Sequence, residues 1–189
     1  MSGVLQGCGL AAFTLMLAAA PADATTLGRM KLEELAAAAH AIVQARCLES
    51  ESRWEGGEIW TISRFEVLDA VKGALPQLIT VRLLGGRVGH VISTVEGVPR
   101  FLPGEETILF LEQTRSGEFS VTSWAQGTFR IERDPRTGRQ SVTQDSSALS
   151  VFDPATRRFQ RGGIRGLPLP AFKQRLAAIL EQQQKETEP

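Results

Sequence analysis

The sequence contains few histidines and cysteines, the residues that form most zinc sites. Its 189 residues include only two histidines, His40 and His90, which lie far apart along the chain. Neither has a cysteine or a carboxylate beside it at the spacing of a metal site. This pattern argues against a zinc site of the usual types, so no metal ligand is assigned.

The chain also lacks an excess of charge of either sign. Its 21 lysines and arginines balance 21 aspartates and glutamates, so it has no global electrostatic attraction to nucleic acids or membranes. We expect no nucleic-acid partner. The exception is a local basic cluster, which we interpret as a solvated face with nucleic acid as the alternative; its members are Arg157, Arg158, Arg161 and Arg165.

No apolar run is long enough to cross a bilayer. The run from Leu10 to Ala20 has the length of a signal-peptide core, and Ala22-Asp23-Ala24 follows it. This pattern predicts a signal peptide over 1–24, cleaved between Ala24 and Thr25, and an exported protein that is periplasmic or extracellular. The alternative is a buried or anchoring N-terminal helix.

Cysteine is scarce as well. Removal of residues 1–24 would leave Cys47 as the single thiol, so no intramolecular disulfide could form and the hydrophobic core must hold the fold. Cys47 ends an alternation of apolar and more polar residues that begins at Ala41. We therefore predict a half-buried strand with the thiol pointing inward.

What the sequence does contain is a series of strand patterns. A helix is expected over Met30 to Ala39 and a turn at Gly56-Gly57. The unbroken apolar segment Thr107 to Leu111 predicts a strand covered on both faces. The other strands are predicted over Ile59 to Val71, with a bulge that switches faces, and over Leu78 to Leu84, Val88 to Val95, Glu118 to Trp124 and Gly127 to Glu132.

The C-terminal part contains two similar turns and a helix. Asp134 to Arg139 and Asp153 to Arg158 each begin Asp-Pro, which is typical of type I turns. Apolar residues at helical spacing predict an amphipathic helix from Pro170 to about Gln183.

Together these patterns predict a mainly β protein. We expect a small OB-like barrel, closed or partly open, with an N-terminal helix and a C-terminal amphipathic helix. The expected segments are 25–40 for the N-terminal helical part, 41–132 for the barrel, 133–166 for a hairpin extension and linker, and 167–189 for the C-terminal helix and tail.

The glycine-rich stretch after the third strand resembles a phosphate-binding loop at first sight. It contains Gly85, Gly86 and Gly89, but neither a dinucleotide fingerprint nor a Walker motif is present. A strand pattern follows it, where a phosphate site needs a helix N-terminus. The glycines are therefore expected to serve a tight connection, and no cofactor is assigned.

The candidate functional residues lie in and after this stretch. We predict no catalytic residue, and an exposed recognition set of Arg87, His90, Arg100 and Phe101. The alternative is a hydrolase in which His90 acts as a base for a nearby serine, Ser93 or Ser123.

Several short segments resemble known proteins. Over residues 35–131 the chain resembles an uncharacterised family of exported bacterial proteins, and it is more distantly similar to the OB-type barrel of netrin-like modules and tissue inhibitors of metalloproteinases. The segments that carry the resemblance are Ala41 to Val43, Glu51 to Trp54, Val71 to Gly73, Leu84 to Gly89, Val98 to Phe101, Pro103 to Glu106, Ile108 to Leu111 and Ala125 to Gly127.

A small barrel fills its interior with side chains and binds through its loops and outer faces, which favours a function in binding. Tissue inhibitors of metalloproteinases act through an N-terminal cysteine, whereas the expected mature end here is Thr25, with no cysteine near it and none of that family's disulfides. That mode of inhibition is not implied. We expect an exported, non-enzymatic module that binds an unknown protein, with a secreted protease as one candidate partner. A structural accessory protein of the cell envelope is a further alternative.

Overall fold

The computed structural model describes residues 28–187. The expected signal peptide, with its cleavage site between Ala24 and Thr25, lies outside this range, as do the last two residues. Among the described residues, no helix is both long and apolar enough to span a membrane. The helices are α1 (Leu32–Ala38) and α2 (Leu169–Thr187). The strands are β1 (Ala41–Glu55), β2 (Glu58–Lys72), β3 (Leu78–Leu84), β4 (Gly86–Val88), β5 (Val91–Ser93), β6 (Glu106–Gln113), β7 (Phe119–Val121), β8 (Thr128–Arg133), β9 (Gln140–Gln144), β10 (Ser150–Asp153), β11 (Arg158–Arg161) and β12 (Leu167–Pro168).

Five strands close into a ring. β1 pairs with β2 along its whole length and with β6 through its first half. β2 pairs with β3, β3 meets β7 in a parallel bridge between Val81 and Phe119, and β7 returns to β6. The expected fold class, a mainly β, OB-like ring with one helix before it and one after it, is confirmed.

Bulges bend the two longest strands. In β2, Leu68 and Val71 have no residue opposite them in β1, and Leu48 is unopposed in β1. Each extra residue reverses the faces on which the following side chains lie, and it sharpens the coil of the strand. The bulge predicted from the mixed parity of the second strand is therefore present, and it allows a long hairpin to wrap around a small ring.

The interior of the ring is filled by apolar side chains. Phe65, Val81, Leu109 and Val121 are fully buried there, together with Cys47. The inward orientation predicted for Cys47 is confirmed; its side chain is 1% exposed. Because side chains occupy the interior, the ring leaves its rim and outer faces for contacts with other molecules.

A second core lies outside the ring, beneath the two helices. Phe110 and Ile108 of β6 point outward into it, whereas Leu109 and Leu111 point into the ring. The segment Thr107 to Leu111 is thus covered on both faces, as its unbroken apolar pattern predicted. Phe172 of α2 packs on Phe129 of β8 with ring centroids 4.8 Å apart.

Beyond the ring the sheet continues through β8, β9 and β12. Both Asp-Pro turns are confirmed. Oδ1 of Asp134 accepts hydrogen bonds from the amides of Arg136 and Thr137, and Asp153 accepts equivalent bonds from the amides of the second turn. The two amide hydrogen bonds lower the pKa of Asp134, because they stabilise the charged carboxylate.

Two of the predicted strands differ in the structure. Val88 to Val95 is not one strand, because the chain reverses at Gly89-His90 and forms the separate β4–β5 hairpin. The segment Glu118 to Trp124 is extended only over β7, and a short 3₁₀ helix begins at Trp124. In both places a tight change of direction ends a pattern that is otherwise typical of a strand.

Candidate recognition surface

The β4–β5 hairpin forms a two-stranded sheet of its own, apart from the ring. Gly86 lies opposite Ser93, Arg87 opposite Ile92, and Val88 opposite Val91. Opposed residues of an antiparallel pair project from the same face, and neighbouring pairs alternate between the two faces. Arg87 and Ile92 therefore share the face turned away from Gly86.

Gly86 fixes the position of the hairpin on the molecule. A Cβ atom at this position would collide with the hydroxyl oxygens of Ser52 and Thr61. Thr61 also donates a 2.6 Å hydrogen bond to the carbonyl oxygen of Gly85, and the amide of Gly85 donates to Ile59. The paired glycines thus let the chain cross closely over the β1–β2 hairpin, which agrees with their interpretation as a tight connection.

The structure brings three of the four proposed recognition residues to this hairpin. Arg87 is exposed on β4, and His90 is exposed in the two-residue turn. Arg100 is also exposed, and its Nη2 atom lies 3.4 Å from the carbonyl oxygen of Ser93 at the base of the hairpin. Neither Arg87 nor Arg100 forms an ion pair with a carboxylate in residues 28–187.

Phe101, in contrast, was wrongly expected to be exposed. Its side chain is 3% exposed and meets Phe65 edge to face, with ring centroids 5.0 Å apart. The sequence shows only an aromatic residue between Arg100 and Leu102, shortly before a loop proline. It does not show that this aromatic ring fills the interior of the ring of strands.

Arg130 holds the loop that carries Arg100. Its guanidinium donates to both carboxylate oxygens of Asp145 at 2.8 Å, to Glu105 at 2.6 Å and to the carbonyl oxygen of Arg100 at 2.6 Å. It also lies 5.0 Å above the ring of Phe101. Burial alone would lower the pKa of Arg130, but the hydrogen bonds and charges of Asp145 and Glu105 outweigh burial and raise it.

Exposed apolar side chains beside the two arginines were not identified from the sequence. Ile92 is 53% exposed and Leu102 is 65% exposed, and Val91 is partly exposed at the turn. The feature that could have revealed them is the two-residue turn at Gly89-His90, because a turn there forms a separate hairpin. Gly89 has a φ of +59° and His90 does not have a positive φ, which is the pattern of a two-residue hairpin loop with glycine first.

The hydrolase alternative receives no support from the contacts of His90. Within residues 28–187 the His90 side chain forms no hydrogen bond. Ser123, one of the two candidate nucleophiles, accepts a 2.9 Å hydrogen bond from the side-chain amide of Gln126. Nor does the described part of the chain bring together three His, Cys, Asp or Glu side chains that could hold a metal ion.

A cleft of about 670 Å³ lies elsewhere, between the segment before α1, the β10–β11 hairpin and α2. The two buried side-chain amides that line it already form hydrogen bonds within the protein. Gln126 accepts from the amide of Met30 at 2.8 Å and donates to the carbonyl oxygen of Gly28 at 2.7 Å. Gln144 donates to Gln126 and accepts from the amide of Ile164. These two side chains hold chain segments together, so neither amide is free to bind a ligand in the cleft.

In comparisons with known proteins, no family model matches the chain and no curated protein matches it in sequence.

Proposed function

We propose that the protein is an exported, non-enzymatic binding module that recognises another protein through the β4–β5 hairpin and the adjoining loop. The recognition surface consists of the exposed side chains Arg87, His90, Ile92, Arg100 and Leu102. A secreted protease is one candidate partner, bound by a route other than the N-terminal cysteine of the tissue inhibitors of metalloproteinases.

The observation that carries the proposal is the outward face of the hairpin. Ile92 remains half exposed on a strand that pairs only with β4, beside an arginine with no carboxylate partner among the described residues. Arginines together with exposed apolar side chains are typical of the central contacts of protein interfaces. The two unpaired arginines favour a partner whose matching surface is acidic.

The contacts that hold the hairpin and the adjoining loop in place also fit a recognition role. Gly86 seats β4 directly on the β1–β2 hairpin, and Arg130 fixes the loop from Arg100 to Glu105 by hydrogen bonds at both of its ends. A surface that is ordered before binding loses little conformational entropy when it meets a partner. Recognition residues are commonly found on loops positioned by a rigid β scaffold.

Affinity capture tests the proposal. The tagged full chain is incubated with an extract of the cell envelope and culture medium, and captured proteins are compared with those retained by the Arg87→Ala/Arg100→Ala double variant. We expect a defined partner whose recovery falls at least tenfold with the double variant. The matched control, Arg136→Ala/Arg139→Ala, removes two exposed arginines from the β8–β9 turn and should retain the partner.

Capture of nothing above background by the wild-type chain would contradict the proposal, as would equal recovery by all three proteins. Thermal unfolding of each variant shows whether a loss of capture reflects misfolding. A deletion phenotype without any partner would instead favour the accessory role in the envelope.

A further inference from the structure

We propose that the β10–β11 hairpin is a second contact surface that docks on anionic lipid bilayers. This inference does not depend on the function proposed for the β4–β5 hairpin. It rests on an exposed aromatic residue, on arginines without partners, and on a comparison with the other Asp-Pro turn of the same chain.

The aromatic residue lies on the outer face of the hairpin. Phe159 is opposite Phe152, and their ring centroids are 5.5 Å apart. Val151, which projects from the opposite face, is 3% exposed and packs toward the body of the molecule. The side chain of Phe159 is 65% exposed, so the outer face presents an aromatic ring to solvent.

Arginines lie on and beside this face: Arg161 projects from the same face as Phe159, Arg157 lies in the turn and Arg158 projects from the opposite face, and all three are exposed. Residues 150–166 contain four arginines and a single acid, Asp153. The Asp153 carboxylate accepts from two turn amides and lies 3.7 Å from Arg29. Arg157, Arg158 and Arg161 form no side-chain hydrogen bond or ion pair with any residue of 28–187, whereas Arg165 donates to the carbonyl oxygen of Ser147.

The second Asp-Pro turn has an arginine where the first has a glycine, and this arginine adds positive charge to the hairpin. Asp134 and Asp153 begin equivalent turns, so Gly138 corresponds to Arg157, and Gln140 corresponds to Phe159. Gly138 has a φ of +70° and Arg157 a φ of +52°. The left-handed region is unfavourable for an arginine. The second turn therefore places a cation where the first has the residue that fits without strain.

An aromatic ring flanked by cations matches the chemistry of an anionic bilayer surface. The ring can enter the boundary between headgroups and acyl chains, while the guanidinium groups remain among the lipid phosphates. Each basic residue near such a surface strengthens binding about fivefold. The core of a protein interface needs several apolar side chains around its arginines, whereas Phe159 is the single large apolar side chain exposed on the β10–β11 hairpin, so the bilayer is the favoured partner.

Fluorescence quenching tests insertion at this position. The full-length Phe159→Trp variant is mixed with vesicles of equal parts phosphatidylglycerol and phosphatidylcholine, the latter brominated near the headgroup, and the wild-type emission is subtracted. We expect the emission of the introduced tryptophan to shift to shorter wavelength and to be quenched. The matched control, Gln140→Trp, places the probe at the equivalent position of the other turn and should be unaffected.

Because all variants share the same N-terminal segment, differences between them report on the hairpin alone. Arg157→Gln/Arg161→Gln in the Phe159→Trp background should weaken quenching by roughly 25-fold in lipid concentration. Arg136→Gln/Arg139→Gln in the same background should leave it unchanged. Inorganic phosphate at constant ionic strength should not compete, because the proposed site needs a lipid surface and not a free phosphate.

Absence of quenching in the Phe159→Trp variant would overturn the proposal, and so would equal quenching in vesicles of pure phosphatidylcholine. Binding of polyglutamate that depends on the same arginines, without quenching by vesicles, would assign the surface to an acidic protein and would also overturn it.

Discussion

At the residue scale, the fold determines the close packing of Gly86, the pKa of Cys47 and the hydrogen bonds of Arg130. Gly86 lies against two hydroxyl groups with no room for a methyl group. Cys47 is buried inside the ring, where desolvation raises the pKa of its thiol to about 11. Arg130 fixes the loop between Arg100 and Glu105 with charge-assisted hydrogen bonds. At this scale the fold can be tested by single substitutions.

Gly86→Ala should lower the free energy of unfolding by about 2–4 kcal/mol, because the new methyl group must displace Ser52 and Thr61 and the φ of +143° is strained for alanine. Urea denaturation measures the change. Gly89→Ala is the matched control, since its Cβ would meet nothing within 4 Å and only the left-handed φ costs about 1–2 kcal/mol. Equal losses in the two variants would show that the close approach at Gly86 is wrong.

Cys47 should not react with a thiol reagent at pH 8 while the protein is folded. With a pKa of about 11, roughly one thiol in a thousand is ionised at that pH, and the side chain is also inaccessible. Full reaction is expected in denaturant. Rapid labelling of the native protein would contradict the buried position.

The raised pKa of Cys47 also affects stability in alkali. A folded-state pKa above the ordinary value of 9.0 means that the folded protein holds the proton more tightly than the unfolded chain. The corresponding stability is complete below about pH 9 and is lost as the pH rises toward 11. Cys47→Ala should remove this component of the alkaline loss, which urea denaturation at pH 8 and pH 10 would measure.

At the scale of elements, local patterns predicted most of the structure within the ring. The apolar run Thr107 to Leu111 indicated a strand covered on both faces, and α1 and α2 do cover its outer face. The mixed parity of Ile59 to Val71 indicated the bulges found in β2. These predictions were correct because the pattern of apolar residues along a strand depends directly on which of its faces are buried.

The parts that could not be predicted depend on distant contacts. The segment Val88 to Val95 has the apolar pattern of one strand, whereas Gly86 seats a short hairpin against Ser52 and Thr61. The exposure predicted for Phe101 was wrong because nothing nearby in the sequence shows that Phe65 and Arg130 cover it. The candidate site was therefore identified only in part, through its two arginines and its histidine.

The packing of α2 leads to a prediction at this scale. Phe172→Ala should lower the free energy of unfolding by about 3–5 kcal/mol, because it opens a cavity against Phe129 in the outer core. Thermal and urea unfolding measure the loss. Gln174→Ala, on the exposed side of the same helix, should change stability by less than about 0.5 kcal/mol. A small effect of Phe172→Ala would mean that α2 does not pack on the sheet.

At the scale of the whole molecule, one core fills the ring and a second core joins the ring to the helices. Two hairpins stand apart from the main sheet, and each presents arginines beside exposed apolar side chains. In our account the ring and helices form a rigid support, the β4–β5 hairpin binds a protein, and the β10–β11 hairpin docks on a bilayer. The protein-binding role of the β4–β5 hairpin is the central claim.

Photo-crosslinking in living cells tests that claim most directly. A photoreactive phenylalanine analogue replaces Ile92 in the full chain, and the control chain carries it at Arg136 on the β8–β9 turn. The account predicts a discrete adduct with one protein from position 92, lost when Arg87→Ala and Arg100→Ala are added, and no such adduct from position 136. No adduct from position 92, or the same adducts from both positions, would contradict the account.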